Sequence, residues 1–181
     1  EGKKHEFCTA CYDNESKGIH SYRQENNELF EETYQKLLNS PSPKEEKLEY
    51  EYIDLRLGNQ CNLACRMCPP SSSSNLVKDY ELLEKVNFST EFIKNTSWHK
   101  NKIFWDKLIE SSEHVTKIYL AGGEPLIIEE TWDFLRALIK KGNAKNITIY
   151  YSTNSTVLPR PAFELWPHFK NVQLSLSIDG T

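Results

Sequence analysis

Strand-like and helical patterns alternate along this chain, and that alternation constrains the fold more than any other feature. Ile53, Leu55 and Leu57 take every second position of one run, and residues 115–120 form a second run rich in β-branched and aromatic side chains. Apolar residues recur at helical spacing over residues 75–86, 102–111 and 132–139, and Gly142 follows as a C-terminal stop. This order predicts parallel β-α units with right-handed crossovers.

Three cysteines follow the first predicted strand with an uneven spacing, Cys61-x-x-x-Cys65-x-x-Cys68. Structural zinc and most electron-transfer iron–sulfur clusters take four protein ligands, so three thiolates leave a metal centre with an open position for another molecule. A zinc site and a disulfide with a spare thiol are the alternatives. The spacing differs from that of paired zinc motifs, and His99 and His114 lie in poor sequence context to complete one.

A Gly-Gly-Glu-Pro segment, residues 122–125, directly follows the second predicted strand. Two glycines at a strand end allow backbone conformations closed to other residues and let a ligand approach the main chain. The proline then ends the strand pairing. Alone, this segment predicts a turn, but its place one βα unit after the cysteine triplet indicates a shared site.

At these residues the chain resembles the radical S-adenosylmethionine (SAM) enzymes, from about residue 50 to the C-terminus. In that family three cysteines bind three irons of a 4Fe-4S cluster, and SAM chelates the fourth iron. The resemblance implies that the cluster ligands, on which catalysis depends, are Cys61, Cys65 and Cys68. It implies that the SAM amino group is held by Gly122, Gly123, Glu124 and Pro125. Met67 takes a usually aromatic position near the adenine, where its polarisable thioether can pack on a ring.

Two later segments extend the resemblance. Residues 146–156 resemble the third strand of the family with its Thr-Asn-Gly-Thr ending, although Ser155 replaces the glycine. Residues 171–180 resemble the fourth strand of the subgroup that carries twitch or SPASM extensions, in which the serine matching Ser177 contacts SAM. Cofactor contact is also implied for Asn154 and Asp179, for which turn capping is an equal alternative.

The fold class expected from the resemblance is α/β, a partial (βα) TIM-like barrel of the radical SAM type. Every motif falls at the C-terminal end of a strand, where barrel enzymes place their sites. About four βα units can be counted, and the fifth and sixth strands of the family are missing. Because the chain also begins at Glu1 and its only methionine is Met67, we expect it to be an excerpt of a longer protein.

Side-chain alternation predicts which face of the sheet is polar. In the fourth strand the apolar residues would pack under helices, and the polar residues, Ser177 among them, would point into the barrel. Asp54, Arg56 and Lys117 could point inward by the same alternation. A polar lumen suits a zwitterion such as SAM, and a solvated sheet face is an equal alternative.

The sequence before the barrel predicts a separate region, residues 1–47, ahead of a core at residues 48–181. Cys8 and Cys11 form a Cys-x-x-Cys that resembles the cysteine-rich element before the barrel of twitch-type proteins, so an auxiliary cluster or zinc site there is one interpretation. Redox use and unbonded thiols are the others. A helix is predicted from about residue 24 to 39, and residues 41–44 predict a linker.

Composition restricts the partners and the compartment. A net charge of -4 and a pI near 5.8 argue against nucleic acid as the main partner. No hydrophobic run approaches a membrane span, and no signal peptide is visible. Five cysteines without a disulfide pattern, together with an oxygen-sensitive cluster, favour a reducing cytoplasm.

The expected function is reductive cleavage of SAM to methionine and a 5′-deoxyadenosyl radical that abstracts hydrogen from a substrate. A flavodoxin- or ferredoxin-type protein is the expected electron donor. The twitch-like resemblance favours a peptide or protein substrate, with a small metabolite as the second possibility. The alternative function is a non-catalytic iron–sulfur or zinc-binding module, which would have a fourth protein ligand and no affinity for SAM.

Overall fold

The computed structural model describes residues 5–40, 50–82 and 95–178. The chain divides into two compact units, Glu1–Leu48 and Glu49–Thr181. The predicted linker at residues 41–44 and the predicted cofactor residue Asp179 lie outside the described residues.

The described part of the first unit is helical, with α1 at Thr9–Ser16, α2 at Tyr22–Leu29 and α3 at Glu31–Leu38. The prediction of a single helix over residues 24–39 is wrong. The backbone of Phe30 leaves the helical region, at φ -117° and ψ 36°, and this break separates α2 from α3. Aromatic residues and asparagine are weak helix formers, which favours a break at the end of α2. Helix α1, which contains Cys11, was not predicted.

The second unit contains a parallel sheet with strands in the order β1-β2-β3-β4. The strands are β1 at Tyr52–Arg56, β2 at Lys117–Ala121, β3 at Thr148–Thr153 and β4 at Asn171–Leu176. The order follows the chain, so each strand lies beside the next. The predicted α/β fold with about four βα units is confirmed as this four-stranded parallel sheet.

Helices connect these strands. The described ones are α4 at Val77–Leu82, α5 at Lys102–Glu110, α6 at Glu129–Lys141 and α7 at Arg160–Leu165. The predictions for α5 and α6 are confirmed, and α6 ends at Gly142 with φ 88° as the pattern indicated. The end of the predicted helix over residues 75–86 lies outside the described residues. Helix α7 was not predicted, although a proline in its first turn is compatible with a helix start.

One face of the sheet forms the hydrophobic core. Ile53, Ile118 and Ile149 are in register on this face and are almost fully buried. They belong to one cluster with buried residues of α5 and α6, such as Trp105 and Leu138. Burial of a large apolar side chain contributes about 1.5–3 kcal/mol, so this face holds the sheet and helices together.

The prediction that the apolar face of β4 packs under helices is wrong for most of that strand. Leu174 and Leu176 are in register with the buried Tyr151 and Thr153, so they lie on the expected face. They are nevertheless 41% and 50% exposed, and only Val172 packs against the core. The reason is that β4 is the last strand of the described sheet, where one side of each residue lacks a neighbouring strand.

Within the described ranges, no helix combines the length and the apolar character needed to cross a bilayer.

Candidate metal and cofactor site

The cysteine loop leaves β1 at a point fixed by backbone hydrogen bonds. The Leu57 N–H donates to the Ala121 carbonyl at 2.8 Å, which holds the end of β1 against the end of β2. Gly58 then turns the chain with φ 77°. Within the loop, the Cys68 N–H donates to the Cys65 carbonyl at 3.0 Å. The loop therefore starts beside the Gly-Gly-Glu-Pro segment, and a turn connects Cys65 to Cys68.

Side chains just before and after the triplet brace the loop. The Asn59 amide donates to the Pro70 carbonyl at 2.8 Å, and the Ser73 hydroxyl donates to the Leu63 carbonyl at 2.5 Å. Ser73 precedes a 3-10 turn, but its hydroxyl makes no capping bond there and binds the cysteine loop instead.

Gly122 and Gly123 pack directly on the backbone of this loop. A Cβ on Gly122 would lie 2.9 Å from the Gly58 carbonyl oxygen, and a Cβ on Gly123 would lie 2.7 Å from the Gln60 carbonyl carbon. Both glycines have positive φ, 85° and 50°. Only glycine satisfies both the conformation and the close approach. The two motifs therefore form one backbone cradle.

Glu124 connects this cradle to the third strand. Its side chain is fully buried, and its two oxygens accept hydrogen bonds from Leu126 N–H at 3.0 Å, Thr153 Oγ1 at 2.8 Å and Asn154 N–H at 2.7 Å. The Glu124 N–H in turn donates to the Gln60 carbonyl at 2.9 Å. Glu124 thus joins the ends of β2 and β3 to the cysteine loop.

Asn154 lies at the end of β3 and reaches the cysteine loop with its side chain. Its Oδ1 accepts from the Thr156 N–H at 3.1 Å, which is the predicted turn-capping role. Its Nδ2 contacts Asn62 Oδ1 at 2.9 Å and Cys61 Sγ at 3.7 Å. Ser155 lies between Asn154 and Thr156 in the chain, at the position where the sequence pattern of the resembled family has glycine, and it adopts φ 61°. Turn capping and contact with the site are therefore combined in one residue.

A pocket of about 660 Å³ lies where these segments meet. This volume is in the range of small-molecule and cofactor sites. The predicted site residues that line it are Cys61, Cys65, Met67, Cys68, Gly122, Gly123, Asn154 and Ser177. All three cysteines are partly exposed, and none of them forms a disulfide. The donor set and the glycine cradle fit a three-cysteine cluster with an adjacent zwitterionic ligand.

Other predicted residues are placed differently. Glu124 and Pro125 are buried and are not among the residues that line the pocket. Cys8 and Cys11 lie in the first unit, at the start of α1 and within it. In the described part of the chain, no three His, Cys, Asp or Glu side chains are grouped closely enough to hold a single metal ion.

The pocket also includes residues that the motifs did not indicate. Arg56 and Tyr119 line it, and the Arg56 guanidinium carbon lies 5.0 Å from the centre of the Tyr119 ring. The Arg56 guanidinium donates hydrogen bonds to the Asp54 carboxylate at 2.8 and 3.0 Å, and these bonds raise the pKa of Arg56. Alternation along β1 had placed Arg56 on this face. Trp98, whose indole N–H donates to the Arg56 carbonyl at 3.1 Å, carried no sequence signal.

Comparison with known proteins agrees with this geometry. Residues 55–181 match the Radical SAM superfamily. A GTP 3',8-cyclase of Helicobacter pylori (strain ATCC 700392 / 26695) is 30% identical over 133 residues, which cover 72% of this chain and 35% of that protein. A GTP 3',8-cyclase of Petrotoga mobilis (strain DSM 10674 / SJ95) is 24% identical over 121 residues, which cover 64% and 30%. No solved structure matches the chain.

The chain spans about a third of the length of these curated relatives. The matched span begins in β1 and includes the cysteine loop, the glycine cradle and the ends of β3 and β4. Every residue that lines the pocket therefore falls within the matched span. This chain belongs to the radical SAM superfamily, a family of SAM-cleaving iron–sulfur enzymes.

Proposed function

We propose that this chain forms the SAM-cleaving core of a radical SAM enzyme. The observation that carries the proposal is the shared pocket, which Cys61, Cys65 and Cys68 line together with Gly122 and Gly123. Partly exposed thiols can reach a cluster, and glycines without side chains let a ligand lie against the main chain.

Each group in the pocket has a defined task in this proposal. The three thiolates would hold a 4Fe-4S cluster, and the Gly122–Gly123 backbone would orient the amino group of SAM. Met67, which is 77% exposed, is available to pack against the adenine, and Ser177 offers a hydroxyl on the same pocket. The bound cofactors supply one-electron cleavage of SAM to methionine and a 5′-deoxyadenosyl radical, which abstracts hydrogen from a substrate.

The direct test is anaerobic reconstitution of the full-length protein with iron and sulfide, followed by reduction with dithionite in the presence of SAM. Formation of 5′-deoxyadenosine and methionine is expected. A reconstituted, reduced protein that binds a 4Fe-4S cluster but yields no 5′-deoxyadenosine would refute the proposal that this chain belongs to a SAM-cleaving enzyme.

The competing function is a non-catalytic iron–sulfur or zinc-binding module. It requires a fourth protein ligand and predicts no change in the cluster when SAM is added. Metal analysis separates zinc from iron, and the electron paramagnetic resonance (EPR) spectrum with and without SAM separates an open cluster from a closed one. A spectrum that SAM leaves unchanged would favour the module.

For the substrate, we propose a peptide or protein, acted on by a twitch- or SPASM-type radical SAM enzyme. The support is the resemblance of residues 171–180 to the fourth strand of that subgroup, and the position of Ser177, just after β4, among the residues that line the pocket. The test is the complete reading frame beyond Thr181, in which further cysteines of a twitch or SPASM extension are expected.

A nucleotide such as GTP is the second candidate substrate, because the curated relatives are GTP 3',8-cyclases. Arg56 and Tyr119 on the pocket wall offer a cation and a ring of the kinds that bind phosphate and stack on a base. Equilibrium binding of GTP to the reconstituted protein tests this candidate. Binding that R56A does not weaken would remove the residue-level support for it.

Three further proposals concern the surroundings of this core. The electron donor is a flavodoxin- or ferredoxin-type protein, and the compartment is a reducing cytoplasm. Cys8 and Cys11 are free thiols three residues apart on one helix start and contribute to an auxiliary cluster or zinc site. Iron and zinc content of C8A and C11A, measured against the wild type, tests that last assignment.

A further inference from the structure

Cys61 differs from an ordinary exposed thiol because two N–H groups are directed at its sulfur. The Leu63 N–H lies 3.5 Å from Cys61 Sγ, and the Asn154 Nδ2 lies 3.7 Å from it. The first donor belongs to the cysteine loop itself. The second comes from the end of β3, 93 residues along the chain, so it depends on the tertiary fold.

The orientation of the Asn154 amide is decided by its neighbours. Its Oδ1 lies 3.1 Å from the Thr156 backbone N–H, and a backbone N–H can only donate. The oxygen must therefore face Thr156, where the hydroxyl also lies within 2.6 Å. It follows that the NH2 group faces Asn62 Oδ1 and Cys61 Sγ, and the reverse assignment would place donor against donor.

Asn62 and Thr156 complete a ring of side chains around this amide. Asn62 accepts a hydrogen bond from the Asn154 amide at 2.9 Å and donates one to Thr156 Oγ1 at 2.8 Å. The Thr156 hydroxyl in turn donates a hydrogen bond to Asn154 Oδ1, which closes the ring. The Asn154 backbone is held separately by Glu124 Oε2 at 2.7 Å. Both ends of Asn154 are therefore held, and the amide is preorganised toward the sulfur.

We infer that Asn154 is a positioning residue that donates a hydrogen bond to the Cys61 thiolate and raises the reduction potential of the bound cluster. The inference rests on the proposed function, since it needs a cluster on the triplet. Taking up one electron adds one negative charge to the cluster and its thiolates. A donor to a ligating sulfur stabilises that more negative state, which shifts the reduction potential upward.

The test is the midpoint potential of the cluster in the reconstituted full-length protein, measured by dithionite titration and EPR in the absence of SAM. Three variants are compared with the wild type. N154A removes the donor, N154D replaces it with a negatively charged acceptor of the same shape, and T156V disturbs the ring but keeps the backbone N–H that orients Asn154. The readout is independent of SAM cleavage.

The expected order of midpoint potentials is T156V equal to the wild type, N154A lower and N154D lowest, since the carboxylate adds a charge beside the sulfur. The Fe–S stretching frequencies should rise in N154A, because loss of the hydrogen bond strengthens the bond from iron to Cys61. A wild-type potential in N154A or N154D would overturn the inference. An equal shift in all three variants would also overturn it, because it would mark a general loosening of the loop.

Failure of the proposed function gives a different result. In that case the wild-type protein itself forms no 4Fe-4S cluster, and no variant has a potential to compare. If only N154A fails to hold a cluster, the midpoint potential of N154D alone decides whether the inference stands. If both lose it while T156V retains it, the amide is needed for assembly of the cluster, and a role in setting its potential is rejected.

Discussion

The carboxylate of Glu124 accepts a hydrogen bond from the Thr153 hydroxyl at 2.8 Å, and this contact joins the ends of two neighbouring strands. Both residues are buried, so water cannot replace the partner that either would lose. The same carboxylate accepts the Asn154 N–H, which places the Asn154 side chain beside Cys61. A residue expected to bind cofactor thus acts in the structure by holding the residues that line the pocket.

Replacement of Glu124 should destabilise the protein more than replacement of any exposed carboxylate. E124A leaves three N–H or O–H donors without their acceptor in a buried space and should cost about 3 kcal/mol of unfolding free energy. E124Q keeps the shape of the side chain, but its NH2 group would face a hydrogen-bond donor. We expect this substitution to lower the unfolding free energy by about 1–2 kcal/mol. Urea denaturation of the apo-protein measures both, with E113Q on the exposed α5–β2 connection as control. Equal midpoints for E124Q and E113Q would refute the linking role.

Alanine at Gly123 should be far more damaging than alanine at Gly142. Both glycines have positive φ, so both substitutions strain the backbone, by about 1 kcal/mol. At Gly142 nothing lies within 4 Å of the added Cβ, whereas at Gly123 it would meet the Gln60 backbone. We expect G123A to lose about 2–4 kcal/mol and most SAM affinity. G142A measures the backbone strain without a clash. Similar unfolding free energies for the two variants would therefore contradict the close packing of Gly123 on the cysteine loop.

Removal of one cysteine from the triplet should abolish the cluster, and removal of one from the first unit should not. C65A removes a proposed cluster ligand that lines the pocket, so the reconstituted protein should lack the 4Fe-4S EPR signal that changes when SAM is added. C11A alters a thiol of the separate unit Glu1–Leu48 and leaves the triplet intact, so it should keep this SAM-responsive signal whatever its effect on the proposed auxiliary site. An unchanged spectrum in C65A would contradict the ligand assignment.

Stability should fall in alkaline solution because of Tyr151. Burial raises the pKa of this phenol above its ordinary value of 10.0, so the folded protein holds the proton more tightly than the unfolded chain. Its contribution is therefore complete below about pH 10 and is lost as the pH rises further. Trp166 Nε1 donates to the phenol at 3.3 Å, and losing that bond in Y151F lowers stability equally at every pH.

The measurement for Tyr151 is urea denaturation of the wild type and Y151F from about pH 9 to about pH 11. The wild type should lose unfolding free energy faster than Y151F over this range. Parallel pH curves for the two proteins would show that Tyr151 does not couple folding to its proton.

Local patterns in the sequence predicted the elements that depend on nearby residues. Alternation identified β1 through Ile53 and Leu55, and helical spacing with a following Gly142 identified α6. These succeed because side-chain period and capping act within a few residues. The helix predicted across Phe30 failed, since a single pattern of apolar spacing covers two helices that a backbone break separates.

In the site, too, local patterns predicted some features and the tertiary structure decided the others. Spacing alone indicated three thiolates and two special glycines, because cluster ligation and close backbone approach demand those residue types. The sequence could not show that Glu124 turns inward to its three donors, that Ser73 braces the loop, or that Trp98 reaches the pocket. These contacts join segments far apart in the chain.

The amino-acid sequence by itself determined the family, the parallel β-α units and the residues at the pocket that have distinctive chemistry. Only the tertiary structure decided which of them face the pocket and which support it. The physical reason is that hydrogen bonds such as those of Asn154 to Cys61 and Asn62 form between strand ends that folding brings together, and no local pattern encodes that distance.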